Sequence, residues 1–476
     1  MQIYLTSEQE RLADKRTIEG GVPSEVLMSR AAAAIAEEVK AVARRIGARD
    51  ILVVCGNGNN GGDGYAVARK LSECTSFAVS VYSFEGSETS DCRRERERYK
   101  GKYADAIGGD IIVDCIFGTG LTRELGGEYA SAVNEINASG AFVIAADIPS
   151  GLNGTNGRVM GIAVKANLTV AISHRKVGFL LGDGIEYCGE VVVRDIGIPA
   201  DGAFIDELDG EDLAEFFPKR RRNTHKGDYG SACIIAGSEQ FLGAPVLSVA
   251  TALRSGCGYV YAVVPQSLKC ALAVAYPQGI YSDEPNLNAA AIAVGSGMGC
   301  CKTTYDSVCG LLKDYGGKLI IDADGLNALA EYGKEVLKTA RAKVLLTPHV
   351  GEMARLAAIT VDEVLDDPIA VAKKFALEYN VTVHLKSATS ITCDGNRTTV
   401  TARGSTALAK AGSGDMLAGL IAGGCARGLS VYQSAVCSQY ALGLTAEICS
   451  AEGYEGSVTF NDLINNLPMA IKSLTR

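Results

Sequence analysis

A chain of 476 residues is too long for one ordinary core, and two domains are the natural expectation. Apolar residues make up 47% and charged residues 21%, the balance of a soluble globular protein. A net charge of −9 argues against a general nucleic-acid binder, which needs a dominant basic surface.

The opening MQIYLTSEQERLADKR holds acids and lacks an apolar core of signal-peptide length. No run of about 18 apolar residues follows, so neither export nor membrane insertion is expected. Fifteen cysteines are scattered along the chain with no C-x-x-C pair, so structural zinc is not expected. Cys55, Cys115, Cys233 and Cys393 sit in apolar runs, where a free thiol behaves as a small hydrophobe. A reducing cytoplasm is the expected compartment.

SRAAAAIAEEVKAVARRI (29–46) carries alanine and charge at helical spacing. Strand-like runs then recur between helical segments: ILVVC (51–55), VSVYSF (79–84), DIIVDCIF (110–117), FVIAAD (142–147), LTVAIS (168–173) and EVVVRDIGIP (190–199). Such alternation predicts βαβ units and a mostly parallel sheet, buried on both faces. DCRRERERYK (91–100) reads as a solvated helix face. The polar stretch DGAFIDELDGEDLAEFFPKRRRNTHKGD reads as a boundary near 205–225, its KRRR (219–222) as surface linker. Alternation restarts with SACIIAGS, GYVYAVVP, AAIAVGSGMG, KLIIDADGLN, AKVLLTPHVGE and VTVHLKS. ITC and TTVT around CDGNR predict a hairpin with an Asp-Gly turn.

VVCGNGNNGGDGYAVARKL (53–71) is a strand, a glycine turn and a helix. Gly56, Gly58 and Gly61 satisfy G-x-G-x-x-G, a weak signal by itself. Asp63 reads either as a helix-start carboxylate or as a ligand contact. A carboxylate there would repel a diphosphate, which argues against a dehydrogenase using intact NAD(P)H. Asn59 and Asn60 add carbonyl oxygens that can ligate a hard cation or accept from an amide. DCIFGTGLTRELGG (114–127) and AADIPSGLNG (145–154) bring Asp114, Asp147 and Ser150 to further strand ends, where open α/β sheets form their ligand crevice. Oxygens of Asn60, Asp114 and Ser150 suit one monovalent cation, although Asp and Ser are also common turn residues after strands.

GNGNNGGDG, the FGTG turn with its arginine, and DIPSG, in that order over residues 1–205, resemble the NAD(P)HX epimerase domain of nicotinamide-nucleotide repair proteins. The resemblance implies a potassium site at Asn60, Asp114 and Ser150. It implies substrate contacts at Asn59, Asn60, Gly61, Gly62 and Asp63, at Gly118, Thr119, Gly120, Leu121, Thr122, Arg123 and Glu124, and at Asp147. Asp147 is the candidate acid or base, since a carboxylate at the crevice can move a proton.

AKAGSGDMLAGLIAGG (409–424) carries Gly412 and Gly414 before a helix, with Asp415 at its start. Amides there can stabilise a transferring phosphoryl group, and the carboxylate can draw a proton from an attacking hydroxyl. A plain turn capped by Asp415 fits those residues equally well. TPHVGE supplies His349 and Glu352, HLKSATS supplies Lys386 and hydroxyls, and DADGLN supplies Asp322 and Asp324. His174 and His384 have no partner visible in the sequence, and His225 reads as structural or a hinge feature. No Walker A motif is present.

HKGDYG, AGSEQFLGAP, GSGMG, DADGLN, TPHVGE, KSATS and GSGD, in that order, resemble the NAD(P)HX dehydratase branch of the ribokinase-like fold. The resemblance implies hydrated-cofactor contacts at Ala244, Gly297, His349 and Asp415, with Asp415 as catalytic base. It implies nucleotide contacts at Lys386, Ser387, Ala388, Thr389, Ser390 and Gly414. Ser387 stands where the family more often has glycine, and Ser296 where proline is usual.

The expected fold is therefore α/β: two three-layer αβα domains, Rossmann-like over 1–205 and ribokinase-like over 206–476. The implied function is repair of hydrated NADH and NADPH. The first domain would epimerise the R and S forms with K⁺, and the second would carry out ADP-dependent dehydration of the S form, with Mg²⁺ and ADP, favoured over ATP, as phosphoryl donor. Partners are NADHX, NADPHX and ADP or ATP, with no nucleic acid and no membrane, in a cytoplasmic homo-oligomer. The rivals are a ribokinase-type small-molecule kinase and a nucleotide-sensing protein with an inert site.

Overall fold

The computed structural model describes residues 1–73, 76–200 and 205–475. Cys74 and the first four residues of the polar stretch, 201–204, lie outside the described residues. The chain divides into two compact units, Ile3–Ile205 and Asp206–Arg476, the second also taking in Met1–Gln2.

The first unit is built on a 7-stranded sheet ordered Lys102–Tyr103, Ala78–Ser83, Asp50–Cys55, Ile111–Cys115, Phe142–Ala146, Leu168–Ile172, Glu190–Arg194. Every pairing in it is parallel. Ile51, Val53, Ile111 and Val113 pack on Ile35, Val39 and Val67, while Leu52, Val54 and Ile112 pack on Val133 and Ile136. Burial on both faces explains why these runs are continuously apolar rather than alternating. The chain steps outward from Asp50–Cys55 in one direction and then returns to continue from Ile111–Cys115 in the other. Loops leaving those two neighbours diverge, and the crevice between them is the switch point at which open sheets bind ligands.

Two expectations need correction here. The run 190–199 is strand only to Arg194, because the Asp195 carboxylate accepts from the Gly197 amide at 2.7 Å and turns the chain. Helix Ser90–Arg98 is not merely a solvated face: Glu95 is buried, held by Arg69 at 3.2 Å and Arg98 at 2.7 Å.

In the second unit the strands Ile280–Ser282, Tyr259–Val263, Ser231–Ile235, Ala291–Val294, Lys318–Ile321, Lys343–Leu346 and Thr382–Leu385 lie side by side, all parallel. Ser390–Cys393 and Thr398–Thr401 add the antiparallel hairpin, its turn tied by Asp394 accepting from the Asn396 and Arg397 amides. Helix Ser413–Ala426 is buried almost throughout, which accounts for its run of Ala, Gly, Leu and Ile. Of KRRR, Arg220 stacks over the Tyr229 ring at 3.7 Å and the side chains are exposed. Among the described residues no helix is long and apolar enough to cross a membrane.

Candidate functional site

In the first unit, strand Asp50–Cys55 ends at Gly56 and helix Asn59–Ser72 follows. A Cβ on Gly56 would lie 2.0 Å from the Ile116 carbonyl oxygen, and one on Gly61 would lie 1.8 Å from that of Gly56. Glycine is required there by close packing of turn, strand and helix, whatever the ligand. A cavity of about 490 Å³ opens above the turn, lined by Asn59, Asn60, Asp63, Gly118, Thr119, Gly120, Leu121 and Asp147. Gly61 and Gly62 are buried, and Thr122, Arg123 and Glu124 are exposed without forming part of the lining.

Asp63 lies past the first helical turn, so it is not the helix-start carboxylate. Burial pushes its carboxyl well above the usual carboxylate range, with Asp147 and Asp14 adding to the effect. Repulsion of a diphosphate by Asp63 thereby loses its force, because a carboxyl driven toward its neutral form donates a hydrogen bond instead.

Asp114 and Ser150 are fully buried. The Ser150 amide donates to one Asp114 oxygen at 2.8 Å and its hydroxyl to the other at 2.6 Å; the Phe117 amide donates to the Ser150 hydroxyl at 2.8 Å. Burial pushes the Asp114 carboxyl up to about 6 against these hydrogen bonds. Asn60 Nδ2 is buried and, among the described residues, has no hydrogen-bond partner. Amide oxygen and nitrogen are interchangeable by a flip, so Asn60 can present its oxygen there. A carboxylate, a hydroxyl and an amide oxygen fit a hard monovalent cation in donor type. Among the described residues no group of three His, Cys, Asp or Glu could hold a metal.

Asp147 occupies the left-handed region at φ 70°, and a Cβ on Gly118 would lie 3.8 Å from its Oδ2. Lys176 Nζ donates to Asp147 Oδ1, and to the Ile172 and His174 carbonyls at 3.1 and 3.2 Å. Lys176 has no exposed surface. Burial opposes its charge, but Asp147 and Glu10 outweigh burial and raise its pKa. Glu10 and Asp14, from helix Ser7–Glu19, complete the cavity wall, and Glu10 also meets His174 at 3.2 Å. Sequence reading missed Lys176, Glu10 and Asp14. A lysine flanked by LTVAIS and VGFLL was the available signal for the first.

In the second unit, Asp322 is buried, accepting from Lys386 at 2.8 Å and Thr347 at 2.7 Å on Oδ1 and from Ser296 at 3.1 Å on Oδ2. A Cβ on Gly414 would lie 3.2 Å from Lys386 Nζ, so the glycine turn faces this pair. Burial, then the Asp322 charge, push the neighbouring Asp415 carboxyl up to about 6, against Ser296 and Lys386. Lys386 keeps a raised pKa because Asp322 and Glu352 outweigh burial. His349 caps helix Val350–Ala357, accepting from the Gly351 amide at 3.0 Å, and its bridge to Lys386 places both on one rim. Ala244 and Gly297 adjoin: a Cβ on Gly297 would meet that of Ala244 at 2.9 Å. Ser387 and Ala388 are exposed at the loop tip, whereas Thr389 and Ser390 are buried where the hairpin begins. His384 is buried between Thr392 at 2.9 Å and Gln439 at 3.4 Å, and burial lowers its pKa to about 4.

Two family descriptions match in chain order: YjeF-related protein N-terminus over residues 24–178 and NAD(P)H-hydrate dehydratase over residues 232–469. A bifunctional NAD(P)H-hydrate repair enzyme from Thermofilum pendens is 34% identical, across 100% of this chain and 97% of its own length. The chain belongs to the bifunctional NAD(P)H-hydrate repair enzyme family. A member from Dictyoglomus turgidum is 31% identical over 100% of this chain and 99% of that one. Among solved structures, an ADP/ATP-dependent NAD(P)H-hydrate dehydratase from Bacillus subtilis, co-crystallised with ATP/Mg²⁺, matches with a TM-score of 0.52 and 26% identity. It covers 57% of this chain and 99% of that one. A ribokinase-like superfamily protein from Enterococcus faecalis shares the fold at 20% identity, a TM-score of 0.50 and coverage of 57% and 96%. Within the repair family the first unit is thus Rossmann-like and the second ribokinase-like.

Proposed function

We propose that residues 1–205 interconvert the R and S epimers of hydrated NADH and NADPH, and that residues 206–476 dehydrate the S epimer with ADP as phosphoryl donor. The observation that carries this reading is Asp415, a carboxyl at about 6 beside the Lys386–Asp322 pair on a glycine turn.

The substrate ring carries a hydroxyl on the carbon beside the ring nitrogen. Hydroxide leaves poorly and phosphate leaves well. Asp415 takes the hydroxyl proton as the oxygen attacks the donor's terminal phosphoryl group. The 412–414 amides and Lys386 hold the charge that develops. The nitrogen lone pair then expels phosphate, and loss of a proton from the adjacent carbon restores the double bond. Mg²⁺ carried with the nucleotide supplies positive charge to its phosphates. Ala244, Gly297 and His349 contact the hydrated cofactor, while Lys386, Ser387, Ala388, Thr389, Ser390 and Gly414 contact the nucleotide. The buried positions of Thr389 and Ser390 favour contact through that loop's backbone.

In the first unit, Asp147 moves a proton at the ring hydroxyl. Asn59, Asn60, Asp63 and residues 118–121 wall the substrate, with Thr122, Arg123 and Glu124 contacting parts that project from the cavity. Asn60, Asp114 and Ser150 would hold K⁺, which supplies a fixed positive charge where their three loops meet. A homo-oligomer in the cytoplasm is the accompanying assignment; the free thiols among the described residues suit a reducing compartment and do not bear on assembly.

The test is a mixture of NADHX epimers with Mg²⁺ and either ADP or ATP, following recovery of the reduced-cofactor absorbance. Recovery of both epimers is expected, faster with ADP. A stable phosphorylated product in place of reduced cofactor points to a small-molecule kinase and sinks the dehydratase assignment. Consumption of one epimer alone sinks the epimerase assignment. Replacing K⁺ by choline is expected to slow epimerisation only, and light scattering on the purified chain reads the oligomeric state.

A further inference from the structure

We propose that Asp14, on helix Ser7–Glu19, is the second proton-transfer group of the epimerase cavity, acting on the substrate together with Asp147. This rests on the epimerase reading above and adds the partner that such chemistry requires. Inverting the hydroxyl-bearing carbon means breaking and remaking a bond to it. In the ring-opening route a base removes the hydroxyl proton, the oxygen electrons form a carbonyl, and the carbon–nitrogen bond breaks. The nitrogen keeps that electron pair and receives a proton from an acid. Rotation of the freed carbonyl carbon and the reverse steps close the ring on its other face, with no redox change and no net loss of water. One group must take a proton while another gives one.

Asp147 can fill only one of those roles at a time, and its Oδ1 is held by Lys176 and by the Ile172 amide at 3.2 Å. Glu10 and Asp14 are four residues apart and so share one face of their helix. Glu10 is engaged by His174 at 3.2 Å and by Lys176 at 3.8 Å. Asp14 is half-buried in the cavity wall, and among the described residues no side-chain hydrogen bond or ion pair ties it to the protein. Glu10, Asp14 and Asp147, with Asp63 from helix Asn59–Ser72 and Asp91 on the rim, therefore converge on one cavity, where Lys176 and the lining Arg11 are permanent cations and His174 a conditional one. That excess of acidic groups is relieved by a proton held among them. Burial, then Glu10 and Asp147, push Asp14 up to about 6, against Lys176 and His174. Both of its forms are then populated near neutrality, as a shuttle needs. Burial also pushes Asp63 up, with Asp147 and Asp14 adding to the effect, so it too favours a shared proton.

The test uses the full chain and one purified NADHX epimer without nucleotide, so that dehydration is silent, and follows the appearance of the other epimer by chiral separation. The uncatalysed rate is subtracted at each pH. The wild-type kcat/KM is expected to fall as the pH rises through about 6, where Asp14 loses its acid form. Asp14→Asn is expected to lower kcat about 100-fold, with KM little changed, and to abolish that limb. ADP-dependent dehydration of the S epimer by the same variant should be unchanged. Asp14→Glu keeps a titrating carboxyl and is expected to keep the limb, which decides the matter even where Asp14→Asn folds poorly. A profile with no limb near 6 in both wild type and Asp14→Glu overturns the proposal. An Asp14→Asn chain with full kcat while Asp147→Asn is inactive overturns Asp14 alone and leaves the epimerase reading standing. A wild-type chain no faster than the uncatalysed interconversion overturns both.

Discussion

The two units solve one problem with the same parts arranged differently. In each a glycine turn feeds a helix, after a parallel strand in the first and after the antiparallel hairpin in the second, and each sets a largely buried lysine against a carboxylate nearby. In the first unit Lys176 pairs directly with the candidate catalytic carboxylate, Asp147. In the second, Lys386 pairs with Asp322, and the candidate catalytic carboxylate, Asp415, stands beside that pair with its pKa raised to about 6. A lysine bonded to the acting carboxylate fixes its position and neutralises its charge. A lysine bonded to a neighbouring carboxylate leaves the acting carboxylate readier to accept a proton while keeping positive charge for phosphate. Placement of one ammonium group thus separates a positioned proton-transfer site from a phosphoryl-transfer site.

The sharpest way to break this comparison is Asp415→Asn, expected to lower the dehydration kcat by about 10²- to 10⁴-fold while leaving epimerisation intact. Separate assays of the two half-reactions measure it, and equal loss of both would contradict independent sites. Next in size is Lys176→Met, which leaves Asp147 and Glu10 enclosed without their cation. Breaking a buried pair from one side costs about 3–5 kcal/mol, so the first unit should unfold at lower urea while the dehydration rate survives. Gly61→Ala should destabilise the same unit by about 1–3 kcal/mol, because its Cβ falls 1.8 Å from the Gly56 carbonyl oxygen; a thermal melt checks it. The smallest effects are in pH dependence. Asp415 acts in its ionised form, so dehydration should be lost as the pH falls through about 6. Asp322→Asn removes a charge that raises Asp415, and its pH–rate limb should move to lower pH.

Much of this architecture was legible in the residues. The hairpin around CDGNR was readable because an Asp-Gly turn constrains its neighbours locally. The strand runs were readable because burial on both faces leaves an unbroken apolar signature. Asn60, Asp114, Ser150 and Asp415 were nameable because they sit beside glycine turns whose spacing is itself constrained. Lys176 was not, since its partner lies 29 residues earlier, across a strand and a long loop. Glu10 and Asp14 read as ordinary charges on an opening helix, and Glu95 as one of many in a charge-rich segment. Asp63 was named as a contact from its place by the glycine turn, but the upward push of burial on its carboxyl depends on segments far away in the chain.

The amino-acid order alone settled the alternation of strand and helix, the glycine turns and the residues beside them. These follow from steric limits and periodicities that act over a few neighbours. Which loops meet, which carboxylate receives a lysine, and how far burial drives a carboxyl toward its neutral form were decided only by the tertiary structure. Desolvation and Coulomb energy depend on everything packed around a group, and its nearest surroundings in space here come from segments far apart in the chain.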